Sequence, residues 1–155
     1  MYIGAGMLFT NFNIVLCGNN IKYQEISGLG GKKEENETFY QTAIRETIEE
    51  LFEIDPTYNL ISKIETLIKP KQIIESFGYY TLIYTIDDLT ILLNYFISNQ
   101  FNSKLYTTFP KNISELIFNR KIDQAKEISH LCLLPLIKTI KISPDFSLDL
   151  QLIQI

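Results

Sequence analysis

The chain has 155 residues, of which 46% are hydrophobic, and its 14 basic and 18 acidic side chains give a net charge of −4. This length predicts one domain over residues 1–155. No apolar run reaches the roughly 18 residues of a membrane span, and residues 1–6 lack the basic segment of a secretory signal. Without a basic run, the composition argues against a protein that binds RNA mainly through phosphate contacts.

The two cysteines and the single histidine give no indication of nucleophilic catalysis. Cys17 and Cys132 lie in apolar, strand-like runs, which favours buried thiols over a disulfide or a metal pair. Such thiols predict a reducing, cytoplasmic setting. His130 has no evident catalytic partner, so we expect it at an exposed strand position.

The first third of the chain has the pattern of a β-sheet. Apolar runs over 3–9 and 14–17 flank a polar connection at 10–13, which predicts a hairpin. A further strand over 23–27 leads to Gly30 and Gly31, a pair that predicts a tight turn where the backbone can approach a ligand.

An acidic amphipathic helix is predicted next, over residues 38–51. Thr38 and Gln41 have the spacing of a capping box. The face predicted to pack on the core contains Tyr40, Ala43, Ile44, Thr47, Ile48 and Leu51. A different face carries Glu46, Glu49 and Glu50 within an arc of roughly 100°.

These three carboxylates can be interpreted as a metal site or as a solvated face. So close together they raise one another's pKa unless a cation lies among them, and Mg²⁺ prefers oxygen ligands. Arg45, four residues before Glu49, can pair with it and hold it in place. An ordinary acidic helix face is the alternative. Residues 34–55 carry eight acidic side chains and one arginine, a net charge of −7 that favours the metal site.

Six residues of this region follow one fixed spacing: Gly31-x5-Glu37-x7-Arg45-Glu46-x2-Glu49-Glu50. The pattern resembles the signature box of the Nudix hydrolases. The resemblance implies an α/β class fold, an α/β/α sandwich with a mixed β-sheet in which the box forms a loop–helix–loop. It also implies cleavage of a pyrophosphate linkage in a nucleoside diphosphate joined to another group, with Mg²⁺ or Mn²⁺ as cofactor.

The resemblance assigns roles by matching positions. Metal ligands would be Glu46, Glu49, Glu50 and the carbonyl of Gly30, and Arg45 would orient and neutralise the glutamates. Three residues are assigned to the box loop and the substrate: Glu37 would support the loop, while Lys32 and Lys33 would contact substrate phosphate. Exposed lysines without that role are the alternative for the last two.

The chain departs from the family pattern at the end of the helix. Phe52 and Glu53 stand where the family has a glycine and then an apolar residue. We therefore expect an altered helix exit, with Ile54 supplying the apolar contact.

The remaining elements are predicted from propensity and pattern. Strands are expected over 60–68 and 78–86, a helix over 87–98 and a short helix over 113–119. Phe77, Tyr79 and Tyr80 favour core packing over stacking on a base. The tail from Pro144 to Ile155 breaks helical spacing and partly alternates, which is compatible with a strand that could serve in a homodimer. The resemblance to the Nudix family implies a C-terminal helix instead, so both alternatives stay open.

A second similarity to the family lies in residues 127–136. Many Nudix proteins carry a strand of this kind whose glutamate is a further metal ligand or the general base, and Glu127 matches it. An exposed residue before a buried strand is the alternative for Glu127.

The implied reaction is metal-assisted hydrolysis in which Glu46 or Glu127 takes a proton from the attacking water. A small nucleotide or nucleotide conjugate is the broadest substrate class. Capped RNA is the enzymatic alternative, and a nucleotide-binding module without turnover is the non-enzymatic one. No membrane partner is predicted.

Overall fold

The computed structural model describes residues 1–11, 13–143 and 146–153. The described strands are β1 (Gly4–Thr10), β2 (Ile14–Asn20), β3 (Glu25–Ser27), β4 (Leu29–Lys32), β5 (Gln72–Ser76), β6 (Tyr79–Thr85), β7 (Ile128–Pro135), β8 (Thr139–Ser143) and β9 (Phe146–Asp149). The α-helices are α1 (Phe39–Phe52), α2 (Tyr58–Leu67), α3 (Ile86–Ser98) and α4 (Ile113–Phe118), with short 3₁₀ helices at Ile122–Gln124 and Leu150–Leu152.

The described strands form one mixed sheet. Its main path runs β5-β6-β1-β2-β3-β8-β9, while β4 pairs with β1 and β7 pairs with β2. The β1–β6 and β3–β8 pairs are parallel, and the other pairs are antiparallel. The predicted α/β class with a mixed sheet is confirmed.

The two faces of the sheet bury different partners, as the alternation along β1 shows. Met7 and Phe9 join a core cluster to which all four α-helices contribute, whereas Leu8 joins a second cluster on the opposite face. The second face is covered by β8, β9 and the 3₁₀ helix at 150–152. In the described residues this hairpin takes the place of a second helical layer. Pro144 and Ile155 of the predicted tail lie outside the described residues.

Most predicted elements are confirmed. The predicted strands correspond to β1, β2, β3, β6 and β7, and the predicted helices correspond to α1, α3 and α4. The observed bounds are close to the predicted ones. In the first hairpin, Asn11 N–H donates to the Ile14 carbonyl at 3.1 Å. Phe12, within the predicted connection, lies outside the described residues.

Two predictions of backbone structure are wrong. Residues 60–68 form most of α2 rather than a strand, because Thr57 caps the helix and Leu60, Ile61 and Ile64 are buried at helical spacing. Gly30 and Gly31 do not form a turn, since both lie within β4, paired with β1. None of the described helices has the length and apolar character needed to cross a membrane.

Candidate metal centre

Helix α1 sets the direction of the acidic side chains. Thr38 and Gln41 form the predicted capping box at its N-terminus. Ala43, Ile44 and Ile48 are at most 2% exposed and pack the helix onto the core. Because these contacts fix the rotation of the helix, they also fix where its glutamates point.

Three carboxylates from two distant segments converge beside α1. Glu46, Glu49 and Glu127 each present one oxygen atom, and these oxygens lie within 4.8 Å of one another. Glu46 and Glu49 come from α1, whereas Glu127 immediately precedes β7. Three oxygens at this separation are the donor set that a hard divalent cation prefers.

Glu50 lies beside this group but has a different environment. It is only 5% exposed, and its Oε1 accepts a hydrogen bond from the Gly30 N–H at 2.7 Å. The Glu127 carboxyl group is close enough to contribute to the raised pKa of Glu50, after the larger effect of burial. Glu50 therefore links β4 to α1 beside Glu127 from a buried position rather than from a solvent-facing one.

The glycines of β4 make room for the carboxylates. A Cβ at Gly31 would lie 2.4 Å from Glu46 Oε1, so only glycine lets that carboxylate approach the strand. Gly30 has a φ of +156°, and a Cβ there would lie 2.2 Å from the Tyr79 hydroxyl. The close approach expected at these glycines is thus made by the protein's own side chains.

Arg45 is the basic residue at the centre of the acidic face. It is 7% exposed, and its Nε donates to Glu37 at 2.7 Å. Its terminal nitrogens donate to Glu46 Oε1 and to the Lys32 carbonyl, each at 2.9 Å. The predicted pair with Glu49 is present at 3.8 Å. Arg45 thereby fixes the box loop to the helix.

Glu37 supports the box loop through several hydrogen bonds. Its carboxylate accepts from the Glu34 N–H at 2.8 Å and from the Thr42 hydroxyl at 2.7 Å. Burial alone would raise the pKa of Glu37, but the hydrogen bond from Arg45 and the other donors outweigh it and lower the pKa.

The converging glutamates have raised pKa values. Burial raises the pKa of Glu46 to about 7, and repulsion from Glu127 and Glu49 adds to this against the effect of Arg45. Burial also raises the pKa of Glu49 and raises that of Glu50 well above its ordinary value, with Glu127 contributing to both. Without a cation, burial and mutual repulsion therefore disfavour the charged forms of these carboxyl groups, and a divalent cation among them would offset both effects.

Two open cavities meet at this cluster and share Glu50, Lys126 and Glu127. The larger, of about 610 Å³, also contacts Gly30, Lys32 and Tyr79. The smaller, of about 400 Å³, also contacts Glu49, Glu53, Ile54, Lys104 and Leu105. A molecule that spans both cavities would pass the carboxylates with lysines on either side.

The two lysines of the predicted box loop have different surroundings. The exposed Lys32 lines the larger cavity. Lys33 instead lies over the Tyr2 ring, with its Nζ 5.3 Å from the ring centroid. The structure thus brings Lys32, but not Lys33, to the cavity beside the carboxylates.

The helix exit is altered in the way the sequence predicts. Phe52 remains helical and buried, and Glu53 adopts the left-handed conformation with φ 45° and ψ 48°. Ile54, 7% exposed, joins the core cluster. Glu53 therefore occupies a backbone conformation that favours glycine.

Sequence reasoning missed two residues near the cluster. Lys126 lines both cavities, and Arg120 donates to the carbonyls of Glu50 and Leu51. Arg120 reaches partners 69 and 70 residues away. No local pattern indicates such a contact, although the neighbour of Glu127 at position 126 was a visible candidate.

The other candidate residues lie apart from the carboxylate cluster or pack in the core. His130 is exposed on β7, as expected, and Cys17 and Cys132 are free thiols at paired positions of β2 and β7. Tyr80 stacks on Phe39 with 4.4 Å between ring centroids. The prediction of core packing is wrong for Phe77, which is 84% exposed.

No protein-family model and no curated protein matches this chain. Among solved structures, it is similar to a bifunctional NMN adenylyltransferase/ADP-ribose pyrophosphatase from Francisella tularensis, with 18% identity and a TM-score of 0.38 over 54% of this chain and 27% of that one. It is also similar to the Ap4A hydrolase of C. elegans, with 13% identity and a TM-score of 0.41 over 88% and 82%. A Nudix-family hydrolase from Clostridium perfringens has 21% identity and a TM-score of 0.31 over 53% and 63%. The chain thus spans about a quarter of the Francisella protein and somewhat under two thirds of the Clostridium protein.

Proposed function

We propose that this chain is a metal-dependent hydrolase of the Nudix type that cleaves a phosphoanhydride bond in a nucleoside diphosphate linked to another group. One observation carries the proposal: Glu46, Glu49 and Glu127 place carboxylate oxygens within 4.8 Å of one another where two cavities meet. The box spacing around Glu46 and Glu49 supports it independently, because that spacing is a property of the sequence alone.

Different residues of the chain would bind the metal ion and the substrate phosphates. Glu46, Glu49 and Glu127 would hold Mg²⁺ or Mn²⁺, with Glu50 and the carbonyl of Gly30 beside them. When bound, such an ion polarises phosphoryl oxygens and lowers the pKa of a coordinated water. Substrate phosphates would be met by exposed lysines that line the cavities: Lys32, Lys104 and Lys126.

Proton transfer would fall to a glutamate of the cluster. With its pKa raised to about 7, Glu46 can accept a proton from water near neutral pH. Glu127 is exposed and lines both cavities, so it is the other candidate base. Arg45 would keep Glu46 and Glu49 in place through its hydrogen bond and ion pair.

Product analysis against a substrate panel tests the proposal. The panel holds nucleoside triphosphates, nucleotide sugars, dinucleoside polyphosphates and capped RNA, each with Mg²⁺ and with Mn²⁺. Glu49→Gln should lower kcat/KM on the accepted substrate about a hundredfold or more, because it removes a ligand and leaves the shape of the side chain. Glu35→Gln, an exposed change of equal charge in the box loop, should leave the rate within about twofold.

Three outcomes decide between the candidates. Metal-dependent turnover that Glu49→Gln abolishes supports the proposal, and the accepted substrate distinguishes small nucleotides from capped RNA. Turnover that survives Glu49→Gln would show that the metal assignment is wrong. Nucleotide binding with no turnover on any substrate would favour the non-catalytic module.

A further inference from the structure

Arg120 is a buried arginine between α4 and β7, only 7% exposed. Its guanidinium donates to the Leu51 carbonyl at 3.0 Å and to the Glu50 carbonyl at 2.5 Å. It also donates to the Ile128 carbonyl at 2.7 and 3.2 Å. The Tyr106 hydroxyl, at 3.0 Å, accepts the remaining hydrogen bond.

These partners are unusual for a buried cation because all of them are neutral oxygens. Among the residues that the structure describes, no carboxylate lies within ion-pair distance of Arg120. Burying a charge is costly unless hydrogen bonds replace its water. The carbonyls of Glu50 and Leu51 lie in the last turn of α1, where helix carbonyls lack helical partners and the helix dipole favours a cation.

The two segments that Arg120 joins are the two that carry the clustered carboxylates. The last turns of α1 contain Glu49, while Ile128 directly follows Glu127. We propose that Arg120 is a positioning residue: it holds Glu127 against α1 so that three carboxylates reach one divalent cation. This role rests on the metal site of the proposed function and adds a residue that the Nudix box does not contain.

The remaining contacts of this segment explain why Arg120 is needed. The Ile21 N–H donates to the Glu127 carbonyl at 2.8 Å, and β7 pairs with β2. These contacts hold Glu127 relative to the sheet. Toward the end of α1, the segment also has an ion pair of 3.6 Å between Lys126 and Glu53, but its lysine side chain is 75% exposed, so Arg120 is the buried link to the helix. Without Arg120 the strand stays paired, while the separation between Glu127 and the glutamates of α1 is less restrained.

Mn²⁺ affinity measured by electron paramagnetic resonance tests the proposal apart from activity. Arg120→Lys keeps the charge, but one ammonium group cannot reproduce the fork that reaches both segments. We expect it to weaken Mn²⁺ binding about tenfold, the effect usual for residues that orient metal ligands. In a Glu127→Gln background the same substitution should change affinity less than about twofold, because the ligand it positions is already lost.

Tyr106→Phe is the matched control. It removes one acceptor of Arg120 and leaves the four hydrogen bonds to backbone carbonyls. Mn²⁺ affinity should then stay within about twofold of wild type. Circular dichroism confirms that each variant is folded at the temperature of the binding measurement.

The outcomes separate this proposal from the proposed function. If the wild-type chain binds no Mn²⁺, the metal site fails and the role of Arg120 fails with it. If wild type binds and folded Arg120→Lys binds equally well, the positioning role alone is overturned. A tenfold effect that persists undiminished with Glu127→Gln would also overturn it, since Arg120 would then act on something other than Glu127.

A wild-type measurement decides the question if the Arg120 variants do not fold. The Nε–H of Arg120 donates to the Ile128 carbonyl and gives its own signal in ¹H–¹⁵N spectra. During a Mg²⁺ titration, that signal should shift along the same curve as the backbone amide of Glu127. An Arg120 signal that stays unmoved at saturating Mg²⁺ would overturn the proposal.

Discussion

Glu50 of α1 and Gly30 of β4 are joined by a hydrogen bond of 2.7 Å from the glycine N–H to the buried carboxylate. This bond ties the second half of the acidic helix to the strand that pairs with β1. A side chain at position 30 would disturb it, because its Cβ would lie 2.6 Å from the Gly6 Cα and 2.7 Å from the Ala5 carbonyl oxygen. The acidic helix and the glycine strand therefore depend on each other.

Gly30→Ala should lower the free energy of unfolding by about 2–4 kcal/mol, because backbone atoms that cannot move aside surround the new methyl group. Gly28→Ala is the matched control. Its Cβ would meet the Leu8 side chain at 3.3 Å, so we expect a loss of no more than about 1 kcal/mol. Urea denaturation of both variants measures the difference, and equal losses would contradict this account of Gly30.

Removing the Arg45 guanidinium should destabilise the fold more than removing an exposed lysine. Arg45→Met leaves the half-buried carboxylates of Glu37 and Glu46 without their buried cation, at a cost of about 3 kcal/mol. Lys126→Met breaks a pair with Glu53 at 3.6 Å in which the lysine side chain is 75% exposed, so a loss below about 1 kcal/mol is expected. Thermal and urea denaturation without divalent ions test the ranking, and similar losses would argue against a structural role for Arg45.

Without divalent ions the protein should become less stable as the pH rises from about 5 to 7. Because the pKa of Glu46 is raised to about 7 from 4.5, the folded form keeps a proton that the unfolded chain has released. The stabilisation is complete below pH 4.5 and is lost as the pH rises through 7. The lowered pKa of Glu37 acts in the opposite direction, but below this window.

Urea denaturation in a chelating buffer between pH 5 and 8 measures this effect. Glu46→Gln cannot titrate, so its stability should vary less with pH than that of wild type. Adding Mg²⁺ at pH 8 should raise the stability of wild type, because a ligand that binds only the folded form stabilises it. If the stability of wild type increased from pH 5 to 7, the pKa of Glu46 would not be raised in the folded protein.

The sequence predicted what depends on local spacing. The period of α1 and its capping box follow from residues close in the chain, so the rotation of Glu46, Glu49 and Glu50 was predictable. That Glu127 comes near them was implied only by the family resemblance. Its approach depends on the pairing of β7 with β2, which composition does not reveal.

The wrong predictions have physical causes. Residues 60–68 are rich in isoleucine and leucine, and such a short apolar run is compatible with a strand as well as with a helix. In the folded protein the segment is helical because the helix buries Leu60, Ile61 and Ile64 on one face. Gly30 and Gly31 were interpreted as a turn, but glycine is needed there for the close approach of Glu46 and Tyr79 to β4. The burial of Glu50 and the reach of Arg120 both depend on contacts between distant segments.

Glu53→Gly should stabilise the protein, in contrast to most substitutions near the cluster. Glu53 ends α1 with φ 45°, a conformation that costs an ordinary residue about 1 kcal/mol relative to glycine. Its Oε2 is buried without a hydrogen-bond partner, so losing the carboxylate adds no unpaired group. We expect a gain of about 1 kcal/mol, measured by urea denaturation without divalent ions.

Glu53→Ala separates the two contributions to that gain. It removes the same carboxylate but keeps a Cβ in the left-handed conformation, so it should remain about 1 kcal/mol less stable than Glu53→Gly. If the two variants are equally stable, the backbone at position 53 carries no strain and the carboxylate alone sets the change. If Glu53→Gly is less stable than wild type, the 3.6 Å ion pair between Glu53 and Lys126 stabilises the fold by more than the left-handed conformation of Glu53 destabilises it.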